Sequence, residues 1–138
     1  RQLIARQLGA TDVLESRGDE GVAAVEELLG GGADSVLECV GTPESMDQAV
    51  GSARPGGSIG FVGAPSGTLP TGPLFRQNLH YAGGVAPVRH YLPELLADVL
   101  NGSLRPGAVF DTTMTLDQTP DAYAAMGART AIKVLLRP

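Results

Sequence analysis

Few side chains in this sequence stand where they could carry out a reaction. His80 and His90 are the obvious acid–base or metal-ligating groups, but neither has a second ligand at useful spacing. Cys39 is the only cysteine, which excludes an intrachain disulfide and any paired-cysteine zinc motif. The apolar run around it, VLECV, predicts a buried thiol. A GxSxG elbow, an HExxH helix and a GxxxxGK[ST] phosphate loop are all missing. Glu38 lies inside the same apolar run, so its carboxylate must be hydrogen-bonded or point out at a strand end, and a structural duty is the simpler reading. Lys133 puts a cation into the apolar run AIKVLL. There it either snorkels from an edge strand or meets an anion such as a phosphate.

What remains is a set of small residues where strands should end. Gly41, Gly63, Gly83 and Gly84 close three candidate strands. A ligand that lies flat against backbone needs positions without side chains, so the chemistry these residues suit is holding a ligand, not reacting with it. The stretch ARPGGSIGFVGAP, residues 53–65, reads as a helix end, a turn, a strand of apolar residues and an exit through Gly63, Ala64 and Pro65.

The elements that must position these exits are legible in the spacing. RQLIARQLG predicts a short helix with Gly9 as its stop, and TDVLES a short strand. DEGVAAVEELLGGG predicts an amphipathic helix with apolar Val22, Val25, Leu28 and Leu29, whose triple glycine leads into the next strand. ADSVLECVG predicts a strand buried on both faces. Thr42 as N-cap and Pro43 as first helical residue open another helix, with Met46, Ala49, Val50 and Ala53 on its inner face. After the stretch 53–65, SGTLPTGPLF reads as a loop, HYAGGV as a strand and YLPELLADVLNG as a helix. VFDTTMTL, PDAYAAMG and AIKVLL then follow as an extended piece, a short helix and a last strand. Alternation of strand and helix at this spacing predicts an α/β fold with a parallel sheet flanked by helices, and such sheets bind ligands outside the carboxyl ends of their strands.

Composition narrows the function further. The 138 residues correspond to about one domain, and residues 1–138 are read as a single one. With 43% hydrophobic and 18% charged residues and no block of like charge, the chain is expected to fold around its own core. A net charge of −5, ten scattered Lys and Arg and no Trp remove both the basic footprint and the aromatic platform of a nucleic-acid binder. No apolar run approaches a membrane span and no signal peptide opens the chain, so a cytoplasmic location is expected. The sequence starts without Met and already at helical spacing, which reads as a beginning inside an element.

Six segments together carry a resemblance. LGATDVL, GADSVLECVGT, ARPGGSIGFVGAP, HYAGGV, NGSLRPGAVFDTTMTL and AIKVLL occur in the order and spacing found in the C-terminal halves of medium-chain, zinc-type alcohol dehydrogenases. The chain resembles the second part of that family's Rossmann-like cofactor domain, without the first βαβ strands and their Gly-rich turn, and residues 104–138 resemble the return toward the catalytic domain. The resemblance implies NAD or NADP as cofactor, with zinc held only by the separate catalytic domain. It implies that Val62, Gly63 and Ala64 pack against the nicotinamide carboxamide, as do Gly84, Val85 and Ala86 from the neighbouring strand end. Val40 and Gly41 would line the adenosine side, Arg1 would lie along the adenosine ribose, and Lys133 would pair with the pyrophosphate. No residue of this chain is expected to be catalytic, and the piece alone is expected to be inactive. The intact enzyme would exchange a hydride between an alcohol or carbonyl substrate and the cofactor, as a homodimer or higher homo-oligomer joined near LFRQNLHYAGG. The zinc-free quinone and enoyl reductases of the same superfamily are the alternative, and a non-catalytic dimerisation module is another. A Rossmann-like methyltransferase core would instead require a Gly-rich turn after the first strand and an acid ending the second, and neither is present.

Overall fold

Thr42 and Pro43 start a helix for the reasons their types suggest. The Thr42 hydroxyl accepts a hydrogen bond from the Ser45 amide at 3.2 Å, and Pro43 fills a first-turn position where no amide hydrogen is needed. The computed structural model describes residues 1–138. Its elements run α1 (Gln2–Gln7), α2 (Gly18–Leu29), β1 (Ala33–Glu38), α3 (Pro43–Ser52), β2 (Ala53–Phe61), α4 (Thr71–Arg76), β3 (His80–Gly83), α5 (Val88–Asn101), β4 (Thr112–Thr115), α6 (Thr119–Gly127) and β5 (Val134–Arg137). Contacts divide the chain into two compact units, one of Leu14–Ala86 and one of Arg1–Val13 with Pro87–Pro138.

In the unit Leu14–Ala86, β1, β2 and β3 form a parallel sheet in that order. Parallel neighbours cannot be joined by a tight hairpin, so α3 crosses between β1 and β2, and the segment containing α4 crosses between β2 and β3. The core is built from Ala49 and Val50 of α3, Ala53 and Ile59 of β2 and Leu74 of α4. Val36, Phe61, Leu69 and Leu79 pack around them. The predicted inner face of α3 is buried at all four positions, Met46, Ala49, Val50 and Ala53, although Ala53 already belongs to β2. Each fully buried Val or Ile here contributes about 1.5–3 kcal/mol relative to leaving it in water. Helix α2 packs on α3 and ends at Gly30 in the left-handed conformation, so the triple glycine is a helix-to-strand connection as read.

In the other unit, β4 and β5 pair in parallel, Thr112 with Val134 and Thr115 with Arg137, and α6 crosses between them. Ala122, Ala131 and Val134 form its buried centre, with Met114, Ala125, Met126 and Leu136 packed against it. Neither α1 nor α5 buries a residue. No helix is long and apolar enough to cross a membrane.

The structure corrects several expectations. TDVLES is not a strand, because no ladder of hydrogen bonds forms along it; β1 has a single strand neighbour, β2. The segment read as a loop, SGTLPTGPLF, contains α4, whose Pro73 lies in the first turn, where its missing amide costs nothing, and whose Leu74 is 5% exposed. Strand β1 is not buried on both faces. Val36 packs on the core while Leu37, pointing the other way, is 73% exposed. Cys39 lies beyond the end of β1 and is exposed, not a buried thiol. Lys133 stands just before β5 and not within it, because the ladder with β4 begins at Val134.

Candidate functional site

The carboxyl ends of β1, β2 and β3 lie side by side, since Glu38 pairs with Phe61 and Phe61 with Gly83. The segments beginning at Val40, Val62 and Gly84 therefore leave the same edge of one sheet. Glu38 organises the first two. It is the last residue of β1 and only 3% exposed. Its carboxylate Oε1 accepts hydrogen bonds from the amides of Val40 (2.7 Å) and Gly41 (2.8 Å) and from the Ser45 hydroxyl (2.7 Å). Its backbone carbonyl accepts from the amides of Val62 (2.7 Å) and Gly63 (3.0 Å). Burial pushes the Glu38 carboxyl up, but the donors from Gly41, Ser45 and Val40 outweigh it and hold the group below its ordinary value. The carboxylate also lies at the start of α3, where the helix dipole favours negative charge.

Gly41 is held on every side. Its amide donates to Glu38, and its carbonyl accepts from the Ser66 amide at 2.8 Å and the Ser66 hydroxyl at 2.9 Å. Its φ of 87° is the left-handed conformation that favours glycine, and a Cβ there would fall on the Ala64 carbonyl. A Cβ on Gly63 would strike the Gly41 amide and, at 2.6 Å, the Val40 backbone. The two glycines thus let the exits of β1 and β2 touch backbone to backbone. Gly84 differs: its φ is 149° and a Cβ would meet nothing within 4 Å. Around these exits Val40, Val62 and Val85 are 67%, 66% and 100% exposed, and Ala64, Gly84 and Ala86 are exposed as well.

Of the residues read from the sequence, Val40, Gly41, Val62, Gly63 and Ala64 are brought together, and Gly84, Val85 and Ala86 follow the adjacent strand of the same sheet. Arg1 and Lys133 belong to the other unit. There Arg1 is exposed and its carbonyl accepts from the Ala5 amide at 3.0 Å at the start of α1. Exposed Lys133 has its backbone anchored by Asp111, whose carboxylate accepts from the amides of Ile132 (3.0 Å) and Lys133 (3.3 Å). These donors, Ile132 foremost, hold the Asp111 carboxyl below its ordinary value. The sequence reading passed over Ser66, and it treated Glu38 as structural. The available signal is the lone carboxylate inside an apolar run, with a glycine three residues on and a serine seven residues on. No three His, Cys, Asp or Glu side chains gather where they could hold a metal ion, and a depression lined by Leu74, Phe75, Leu79 and Tyr81 shares no residue with the strand exits.

Comparison with known proteins agrees with this geometry. Residues 1–101 match the family model described as zinc-binding dehydrogenase. A probable zinc-binding alcohol dehydrogenase of Mycobacterium tuberculosis is 33% identical over 135 residues, covering 94% of this chain and 34% of that protein. Zinc-type alcohol dehydrogenase B of Aspergillus flavus is 31% identical over 138 residues, covering 97% of the chain and 32% of that protein. The solved alcohol dehydrogenase of Thermus sp. ATN1 superposes with a TM-score of 0.85 at 28% identity, over 97% of this chain and 40% of that one. The chain spans about a third of the length of the curated relatives it matches. A parallel sheet whose glycine-bearing exits meet at one edge, matched over most of its length by these proteins, makes the chain a member of the zinc-binding dehydrogenase family.

Proposed function

We propose that this chain is the cofactor-holding part of an oxidoreductase that exchanges a hydride between a small alcohol, or the corresponding carbonyl compound, and NAD or NADP. The observation that carries the reading is the pair of interlocked exits, Gly41 against Gly63, flanked by exposed Val40, Val62 and Val85 with no acid or base among them. Such a surface suits a flat ring, which needs apolar contact on its face and fixed backbone groups at its edge. On this reading Val62, Gly63 and Ala64, with Gly84, Val85 and Ala86, bear on the nicotinamide carboxamide, and Val40 and Gly41 line the adenosine side. The bound cofactor supplies the carbon that takes or gives the hydride. The chain's own residues orient that ring, and its valines keep water from one face. For Arg1 and Lys133 the proposed roles, on the adenosine ribose and the pyrophosphate, rest on the family resemblance alone. Zinc does not fit the residues of this chain, which bring no ligand cluster together.

The test is titration of the full-length protein with NADH and NADPH, followed by cofactor fluorescence. Saturable binding of one or both is expected, with Val62→Asp raising the dissociation constant about tenfold by placing a charge against the ring. Failure of wild type to bind either cofactor overturns the reading.

We also infer that a second copy pairs along β3. This strand ends the sheet order, all four of its residues are exposed, and Phe75 and Tyr81 nearby are 90% and 54% exposed. An open apolar edge is a template for strand pairing. Sedimentation is expected to show a dimer that Ala82→Pro dissociates, and a monomer at all concentrations overturns it.

A further inference from the structure

Glu38 is a buried residue that touches both strand exits, the β1 exit through its carboxylate and the β2 exit through its backbone carbonyl, and the resemblance to known dehydrogenases gives it no role. We propose that Glu38 is a positioning residue for the cofactor: its carboxylate and its own carbonyl clamp the exits of β1 and β2 into one rigid surface. The proposal rests on the cofactor reading above.

Five donors converge on this residue, three on Oε1 and two on the backbone carbonyl. Two of the carboxylate's donors, the Val40 and Gly41 amides, belong to the β1 exit, and both donors to the carbonyl, Val62 and Gly63, belong to the β2 exit. Without the carboxylate the Val40 and Gly41 amides lose their acceptor, and Gly41 sits in a conformation and a contact that few residues tolerate. The exit of β1 would then be free to swing away from Ala64 and Gly63. A main-chain turn alone would not need an acid for this. The acid costs desolvation, as its 3% exposure and an Oε2 with no protein partner show, and in return its Oε1 gives the two exit amides an acceptor that an apolar residue at this place cannot supply. The same carboxylate accepts from the Ser45 hydroxyl in the first turn of α3, which ties the start of that helix to the clamp.

The experiment compares Glu38→Ala, Glu38→Gln, Ser45→Ala and Gly30→Ala in the full-length protein. Dissociation constants for NADH and NADPH are measured by fluorescence well below each variant's melting midpoint, together with amide exchange at Gly41. Glu38→Ala is expected to weaken cofactor binding about tenfold or more and to speed Gly41 exchange, since hydrogen bonds to a charged group are the strong ones. Glu38→Gln keeps an acceptor at Oε1 and is expected to recover most of the affinity. Ser45→Ala removes one donor and is expected to fall between wild type and Glu38→Ala, which keeps the test open if Glu38→Ala does not fold. Gly30→Ala strains the left-handed stop of α2 ahead of the opposite end of β1, so it should lower stability and leave the dissociation constants unchanged. Cofactor binding by wild type with equal affinity in the Glu38 and Ser45 variants overturns the proposal alone. Absence of binding in wild type overturns the cofactor reading and the proposal with it.

Discussion

Gly41 and Gly63 lie across the exits of β1 and β2 from each other, where a Cβ on Gly63 would strike the Gly41 amide and a Cβ on Gly41 would fall on the Ala64 carbonyl next to Gly63. Contact this close is possible because the Glu38 carbonyl receives the Val62 and Gly63 amides while its carboxylate receives that of Gly41. The pair accounts for two of the glycines that the sequence marks at strand ends. Their Cβ directions point at protein backbone, whereas that of Gly84 points into open space.

The two kinds of glycine should respond differently to substitution. Gly41→Ala and Gly63→Ala drive a methyl group into backbone that cannot move aside, and each is expected to destabilise the unit by more than about 2 kcal/mol. Gly84→Ala meets no atom and pays only for its backbone conformation, about 1–3 kcal/mol. Chemical denaturation of the three variants would order them, and a Gly84 variant less stable than the other two would contradict the packing described.

Acid should loosen the clamp. The folded Glu38 carboxyl lies below its ordinary value of 4.5, so its contribution to stability is complete above that pH and is lost as pH falls through the lower, folded value. The unfolding free energy of wild type is therefore expected to fall with pH below about 4.5 more steeply than that of Glu38→Gln. Parallel pH profiles from urea unfolding would show that Glu38 contributes nothing of this kind.

Asp111 makes a local prediction. Its carboxylate spans the Ile132 and Lys133 amides from the residue before β4, but the residue is exposed. Asp111→Ala is expected to speed exchange of those two amides while the global melting midpoint moves little. Unchanged exchange would mean that the β4–β5 ladder alone sets the backbone ahead of Val134.

Cys39 offers a direct check of the β1 exit. The free thiol is exposed, so an aromatic disulfide reagent should modify one thiol per chain without denaturant, at a rate near that of the unfolded protein. Protection in the native state would place the residue in a buried run instead.

Local signals carried much of the fold. Thr42 and Pro43 mark the start of α3, the glycines at 30–32 mark the stop of α2, and the spacing of Met46, Ala49 and Val50 marks the buried face, because each depends on residues within a turn or two. The order of strands and helices followed from the same periodicity, and with it the parallel sheet whose exits form the candidate site. Long-range partners decided the rest. Whether TDVLES becomes a strand depends on a neighbour to pair with, whether Leu37 is buried depends on what covers the second face, and Cys39 is exposed because β1 ends before it. The sequence by itself determined that small residues would stand at the strand ends and that Glu38, set inside an apolar run, would need hydrogen-bond partners. Only the tertiary structure decided that Gly41 packs on Ala64 and Gly63 on Gly41 and Val40, and that Glu38 joins both exits, since strands distant in the chain acquire such contacts only when the sheet sets their register.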